Sequence, residues 1–130
     1  MTITLFYAGL LGIGYLLLTA RVIRGRQTKS INLGSGNDAD MERRIRGHAN
    51  FVEYVPMILL LMLLLELSQV NALLLHGVGL ALLAGRILHG VALSFTEKWM
   101  LGRFYGTVLT LSALLISSIA AVVLALTRSL

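Results

Sequence analysis

The chain has 130 residues, of which 57% are hydrophobic and 13% are charged, and its formal net charge is +5. Soluble domains carry about 25% charged residues, so this composition excludes an ordinary soluble domain and places the chain in a bilayer. The absence of cysteine from the sequence excludes disulfides, thiolate metal sites and a cysteine nucleophile. Any reactive sulfur must come from a second molecule.

The first predicted helix spans about residues 2–24. Its apolar part, Thr2 to Ala20, is just long enough at 1.5 Å per residue to cross a hydrocarbon core of about 30 Å. No basic region precedes it, and Arg21, Arg24 and Arg26 follow it. This arrangement predicts a retained membrane helix rather than a signal peptide.

Three further helices are predicted at about residues 40–67, 70–94 and 99–127, the second of them capped by Asp38 or Asp40. Short connections make neighbouring helices antiparallel, so the predicted fold is all-α. It is a single domain over residues 1–130, an up-down-up-down four-helix membrane bundle. In the third helix Gly77, Ala81 and Gly85 recur every four residues, which favours close packing inside the bundle, with an intersubunit contact as the alternative.

Basic residues are distributed unevenly along the chain. The connections after the first and third helices, with the flanking helix ends, carry Arg21, Arg24, Arg26, Lys29, Arg43, Arg44, Arg46, Lys98 and Arg103, while Arg128 alone lies near the other face. By the positive-inside rule, these connections are cytoplasmic and both termini are on the non-cytoplasmic side. The positive charge is thus a topology signal, and we expect no nucleic-acid partner.

A polar stripe enters the second helix. Arg43, Arg46, Asn50 and Glu53 fall within an arc of about 80° at 100° per residue. Facing lipid, Glu53 would cost about 2.5 to 3.5 kcal/mol, so it should face protein or a wet cavity. One interpretation is a buried pair of Glu53 with Arg86 that fixes helix register. The length of the stripe instead favours a site for a small zwitterionic or anionic ligand.

The three histidines do not predict a metal site. His48, His76 and His89 are too far apart in the sequence for a compact ligand motif, and no two of them are separated by four residues. We interpret His76 as a packing or interfacial residue.

With four membrane helices and the motif RxHxNxxEYxP at Arg46 to Pro56, the sequence resembles the MAPEG family, the membrane-associated proteins in eicosanoid and glutathione metabolism, and in particular its small bacterial members. The resemblance implies a homotrimer in the bacterial inner membrane, with glutathione bound between neighbouring subunits near the cytoplasmic side. By position, the residues that the resemblance assigns to glutathione binding are Arg21, Arg46, His48, Asn50, Glu53, Tyr54, Arg86 and His89.

The implied activity is that of a glutathione-dependent transferase or peroxidase, in which a cation stabilises the thiolate that attacks a lipophilic electrophile or reduces a hydroperoxide. Val22 and Met100 stand where the eicosanoid-synthesising members have arginines, which argues against leukotriene-type or prostaglandin-type synthesis. Arg103, three residues after Met100, is the candidate thiolate stabiliser. The alternative is a non-catalytic member that binds glutathione or a lipid. A proton-coupled exporter is disfavoured because the first helix has no acid.

Overall fold

Four long α-helices make up most of the computed structural model, which describes residues 2–128. They are α1 (Thr2–Lys29), α2 (Ala39–Leu67), α3 (Ala72–Ser94) and α4 (Met100–Arg128). Each is long and apolar enough to cross a membrane. The prediction of an all-α, four-helix membrane protein is therefore confirmed.

The central pair of helices is α2 and α3. They pack against each other and against both other helices, whereas within residues 2–128 α1 and α4 make no direct contact. Consecutive helices are antiparallel, as the contact of Ile3 at the start of α1 with Glu66 at the end of α2 illustrates. The buried core comprises Tyr7, Leu11, Leu18, Phe51, Val55, Ile58, Met62, Val78, Leu82 and Ala113. In this arrangement α1 and α4 flank the central pair.

At one end of the bundle, which we call the polar end, α1 and α3 finish and α2 and α4 begin. Asp38 caps α2 by accepting a hydrogen bond from the Met41 amide at 2.7 Å. Lys29 forms ion pairs with Asp38 and Asp40. These contacts, with Gly25 packed against Met41, explain why α1 continues to Lys29 instead of ending near residue 24.

At the opposite end, Glu66 fastens the start of α1 to the end of α2. Its carboxylate accepts hydrogen bonds from the Ile3 and Thr4 amides, both at 2.9 Å. Asn71 caps α3 by accepting from the Leu73 amide at 2.7 Å, so α3 begins at Ala72 rather than near residue 70. Side-chain to backbone hydrogen bonds thus stabilise helix ends at both ends of the bundle.

Glycines bring α3 and α4 into close contact next to the polar end. A Cβ added to Gly106 would lie 2.7 Å from the backbone nitrogen of His89 and 2.8 Å from the carbonyl oxygen of Gly85. Around Gly77, on the same predicted stripe as Gly85, a Cβ would meet no atom within 4 Å. The stripe therefore packs inside the bundle at Gly85 and is open at Gly77.

Candidate functional site: a polar cleft between α2, α3 and α4

A cleft of about 240 Å³ lies at the polar end where α2, α3 and α4 meet. We call it the polar cleft, and it is lined by Glu42, Arg43, Arg46, Asn50, His89, Leu93 and Arg103. Except for the adjacent pair Glu42 and Arg43, the α2 residues of the cleft follow one another at intervals of three or four positions, so they share one face of that helix. The cleft brings together five residues that the sequence singles out: Arg43, Arg46, Asn50, His89 and Arg103.

Positive charge dominates the polar cleft. Arg43 is within ion-pair distance of Asp40 at 3.5 Å and of Glu97 at 3.7 Å. Among residues 2–128, Arg46 and Arg103 have no carboxylate within 4.0 Å, and both side chains are exposed. Guanidinium groups in this state bind carboxylates or phosphates through paired, charge-assisted hydrogen bonds. The cleft is suited to an anionic ligand.

Beneath the polar cleft lies the buried side chain of Arg86, which is 5% exposed. Its Nη1 donates to the Asn50 Oδ1 at 2.8 Å, and its Nε and Nη2 donate to the Thr110 Oγ1 at 3.0 and 2.6 Å. The Thr110 hydroxyl in turn donates to the Gly106 carbonyl oxygen at 2.8 Å. Arg86 also lies 5.7 Å from the ring centre of Tyr54.

Glu53 is not the partner of Arg86. Its side chain is exposed, and within the described residues it forms no ion pair. The interpretation of a buried Glu53–Arg86 pair is therefore not realised within one chain. The side-chain and backbone carbonyls of Asn50 and the Thr110 hydroxyl hold the arginine instead.

His89 is buried on the α3 side of the polar cleft, with 8% exposure. It lies three residues after Arg86 on α3, and its backbone packs against Gly106 of α4. Arg103 approaches from the first turn of α4. The close contact of the two helices at Gly106 thus sets the width of the cleft.

Arg21 and His48 lie outside the polar cleft. Arg21 donates from Nη2 to the Ser94 carbonyl oxygen and stacks over the Phe95 ring at 4.0 Å, which ties α1 to the end of α3. The His48 ring stacks on the Tyr15 ring of α1, with 4.9 Å between centroids. Within one chain these two side chains hold the helices together.

Glu42 and Thr110 belong to the site but were not singled out in the sequence. Glu42 precedes Arg46 by one helical turn, which places it on the polar stripe. Thr110 lies on a row of small residues along the buried face of α4: Gly102, Gly106, Thr110, Ala113 and Ser117. The helical spacing of that row was the signal available, although it carried no indication that Thr110 would hold an arginine.

A second, apolar cavity of about 400 Å³ lies between α1 and α3. Leu10, Ile13 and Leu17 line it from α1, and Ile87 and Gly90 line it from α3. The buried Arg86 side chain also lines this cavity. Within residues 2–128, no group of three or more His, Asp or Glu side chains is placed to hold a metal ion.

Sequence comparison identifies the family of the chain. A profile of the MAPEG family matches residues 4–123, nearly the whole chain. The chain belongs to the MAPEG family. The resemblance stated from the RxHxNxxEYxP motif is thereby confirmed.

Curated relatives of this MAPEG protein include the inner membrane protein YecN of Escherichia coli (strain K12). The two are 32% identical over 87 residues, which is 67% of this chain and 66% of YecN. The same protein from Escherichia coli O6:H1 matches with the same values. The match thus spans about two thirds of the length of these relatives. No solved structure matches the chain.

Proposed function

We propose that this MAPEG protein is a glutathione-dependent transferase or peroxidase embedded in the bacterial inner membrane. The observation that carries the proposal is the polar cleft, in which Arg43, Arg46 and Arg103 surround Asn50 next to one carboxylate, Glu42. The name of the relative YecN, an inner membrane protein, supports the location.

The side chains of the polar cleft fit the functional groups of glutathione. The tripeptide has two carboxylates, which suit guanidinium groups such as that of Arg46. Its peptide carbonyls suit the amide donors of Asn50, and its ammonium suits the Glu42 carboxylate. Both charged and neutral groups of the ligand thus find partners of the right kind.

The size of the polar cleft favours a shared site. Pockets for small molecules measure about 300 to 1,000 Å³, and the cleft of one chain has about 240 Å³. A tripeptide would extend beyond it, so we include in the proposal the homotrimer that the family resemblance implies. In that assembly a neighbouring subunit completes the glutathione site.

In the proposed reaction, a cation lowers the pKa of the glutathione thiol, which for a free thiol is about 8.5, and so raises the thiolate fraction at neutral pH. We assign this role to Arg103. In transfer, the thiolate sulfur forms a bond to an electrophilic carbon and the leaving group, or an opened ring oxygen, takes the electron pair. In peroxide reduction, two glutathiones and one hydroperoxide yield glutathione disulfide, an alcohol and water.

The second candidate is a non-catalytic glutathione-binding or lipid-binding protein. It is favoured by Val22 and Met100, which stand where the resemblance leads us to expect arginines. Without those arginines, Arg103 is the one basic side chain of the first α4 turn that lines the polar cleft.

Calorimetry tests the proposal on protein purified in mild detergent. Wild type should bind glutathione saturably and show thiolate absorbance near 240 nm at pH 7. Arg46→Met should bind at least tenfold more weakly, because one charge-assisted hydrogen bond to a carboxylate contributes about 1.5 to 3 kcal/mol. Arg103→Met should bind glutathione but lose the thiolate signal.

The matched control is Arg24→Met, which removes the same charge from an exposed side chain of α1 outside the polar cleft. It should bind as wild type does. Binding by wild type without thiolate absorbance would favour the second candidate. A folded wild type that does not bind glutathione would refute both the transferase and the peroxidase.

A further inference from the structure

The orientation of the Asn50 side chain follows from its contact with Arg86. A guanidinium carries only N–H donors, so the group that faces it at 2.8 Å must be the amide oxygen, Oδ1. The Asn50 Nδ2 then points away from Arg86. Within residues 2–128 it has no hydrogen-bond acceptor, and Asn50 lines the polar cleft.

Arg86 can hold this orientation because its own position is fixed. Thr110 accepts from both Nε and Nη2, and its hydroxyl is directed to the Gly106 carbonyl oxygen. The Thr110 side chain reaches α3 because Gly85 has no Cβ, which would lie 2.7 Å from the Thr110 Oγ1. Few rotamers are open to an arginine that is 5% exposed and bound at three nitrogens.

Burial of Arg86 without a carboxylate partner would be costly if its only role were to join helices. Charged residues inside a membrane protein are costly to bury, and they are mostly paired or functional. Among the described residues its hydrogen-bond partners are the Asn50 side-chain amide, the Asn50 backbone carbonyl at 3.4 Å and the Thr110 hydroxyl, and no carboxylate lies within 4.0 Å. A role at the adjacent polar cleft would explain this cost.

We infer that Arg86 is a positioning residue of the polar cleft. It holds the Asn50 carbonyl so that both Nδ2 hydrogens face the cleft, and the ligand group bound there must be an acceptor, a carbonyl or carboxylate oxygen. The inference rests on the proposed function where it takes glutathione as the ligand.

The first test is a double-mutant cycle on glutathione affinity, measured by calorimetry. Arg86→Met should weaken binding at least tenfold, and Arg86→Lys, which keeps a charge and a donor, should restore most of it. In the Asn50→Ala background, Arg86→Met should change the affinity less than twofold. An equal loss in both backgrounds would overturn the inference, because it would mean that Arg86 acts by general disruption.

Asn50→Asp tests the donor role directly. The aspartate keeps an acceptor for Arg86 but has no N–H, so this variant should unfold no more readily than wild type yet bind glutathione at least tenfold more weakly. Affinity equal to that of wild type would overturn the assignment of an acceptor to the ligand.

The second cycle uses no ligand, so it separates this inference from the proposed function. In SDS mixed micelles, the effect of Arg86→Met on the unfolding constant should differ at least threefold between the wild-type and the Asn50→Ala backgrounds. An equal effect in both backgrounds would overturn the inference. Should wild type fail to bind glutathione, the proposed function fails and this cycle alone decides the positioning role. If Arg86→Met does not fold, Thr110→Val, with Thr110→Ser as its control, takes its place in both cycles.

Discussion

Two acidic residues of α2, Glu42 and Glu53, compete for the role of recognising the glutathione ammonium. The family resemblance assigns Glu53 to glutathione binding, whereas Glu42 lines the polar cleft and Glu53 is exposed outside it. The difference is one of depth, because residues 46 and 53 lie only about 20° apart around the helix but about 10 Å apart along it, which places Glu53 beyond the cleft. Within one chain, Glu42 is the acid beside the arginines.

Glu42→Gln should therefore remove the preference of the protein for an ammonium. Wild type should bind glutathione more tightly than glutaryl-cysteinylglycine, which lacks the amino group, by about two- to fivefold, the effect of a solvent-exposed ion pair. The variant should bind both equally in calorimetry. Glu53→Gln is the matched control, and if it alone abolishes the preference, the ammonium contacts a neighbouring subunit's Glu53.

At the scale of the helices, the contact of Gly85 with Gly106 determines how closely α3 and α4 approach. Gly106→Ala places a methyl group against the backbone of His89 and Gly85, so it should destabilise the protein by about 1 to 3 kcal/mol. It should also lower glutathione affinity, since His89 borders the polar cleft. Unfolding in mixed micelles and calorimetry measure these two effects.

Gly77→Ala is the control for this prediction, because it lies on the same stripe and its added methyl group meets no atom within 4 Å. It should be neutral or stabilising by up to about 1 kcal/mol, because alanine favours a helix more than glycine does. Equal effects of the two substitutions would mean that helix propensity, rather than the close contact, determines the result.

The start of α2 should respond to acid. The hydrogen bond from the Lys29 ammonium holds the pKa of the Asp38 carboxyl below its usual range, which is about 3.9 for an unfolded chain. A carboxyl whose pKa is depressed by folding stabilises the protein above the unfolded pKa, and that contribution is lost as pH falls through the folded value. The stabilisation should thus be complete above about pH 4 and decline below it.

Asp38→Asn isolates this contribution, because asparagine keeps the N-cap acceptor but neither titrates nor pairs with Lys29. The stability advantage of wild type, followed by circular dichroism in detergent, should be present at pH 6 and shrink below about pH 4. An advantage that does not change with pH would show that the ion pair makes no difference to stability.

The helices themselves follow from the sequence because each apolar run is long enough to span a membrane. The exact helix ends and the side-chain partners depend on contacts between distant residues, which local sequence patterns do not predict. α1 extends to Lys29 because of ion pairs with the next helix, and Arg21 binds the end of α3. The polar stripe predicted Arg46 and Asn50 at the cleft. It did not predict that Arg86 pairs with Asn50 rather than with Glu53, because that choice depends on the relative rotation of α2 and α3, which no local pattern encodes.

For the whole molecule, one surface of α2 requires a neighbour. Glu53 lies at the midpoint of α2 and begins a row of exposed side chains at helical spacing: Met57, Leu60, Leu64 and Leu67. Lipid solvates the apolar members of this row but not the carboxylate. The proposed trimer would cover Glu53, and the apolar residues below it would pack against a neighbouring subunit.

Glu53→Leu separates this arrangement from a monomer in lipid. If Glu53 faced lipid, leucine would remove a cost of about 2.5 to 3.5 kcal/mol and stabilise the chain. If Glu53 binds a polar group of a neighbour, leucine leaves that group buried and unpaired, which costs about 1 to 3 kcal/mol for each subunit. We therefore expect native mass spectrometry from nanodiscs to detect trimers of wild type and mainly monomers of Glu53→Leu. Leu60→Ala, which removes only apolar contacts from the same row, should weaken the trimer less. A monomeric wild type, together with a Glu53→Leu variant that is more stable than wild type, would refute the assembly.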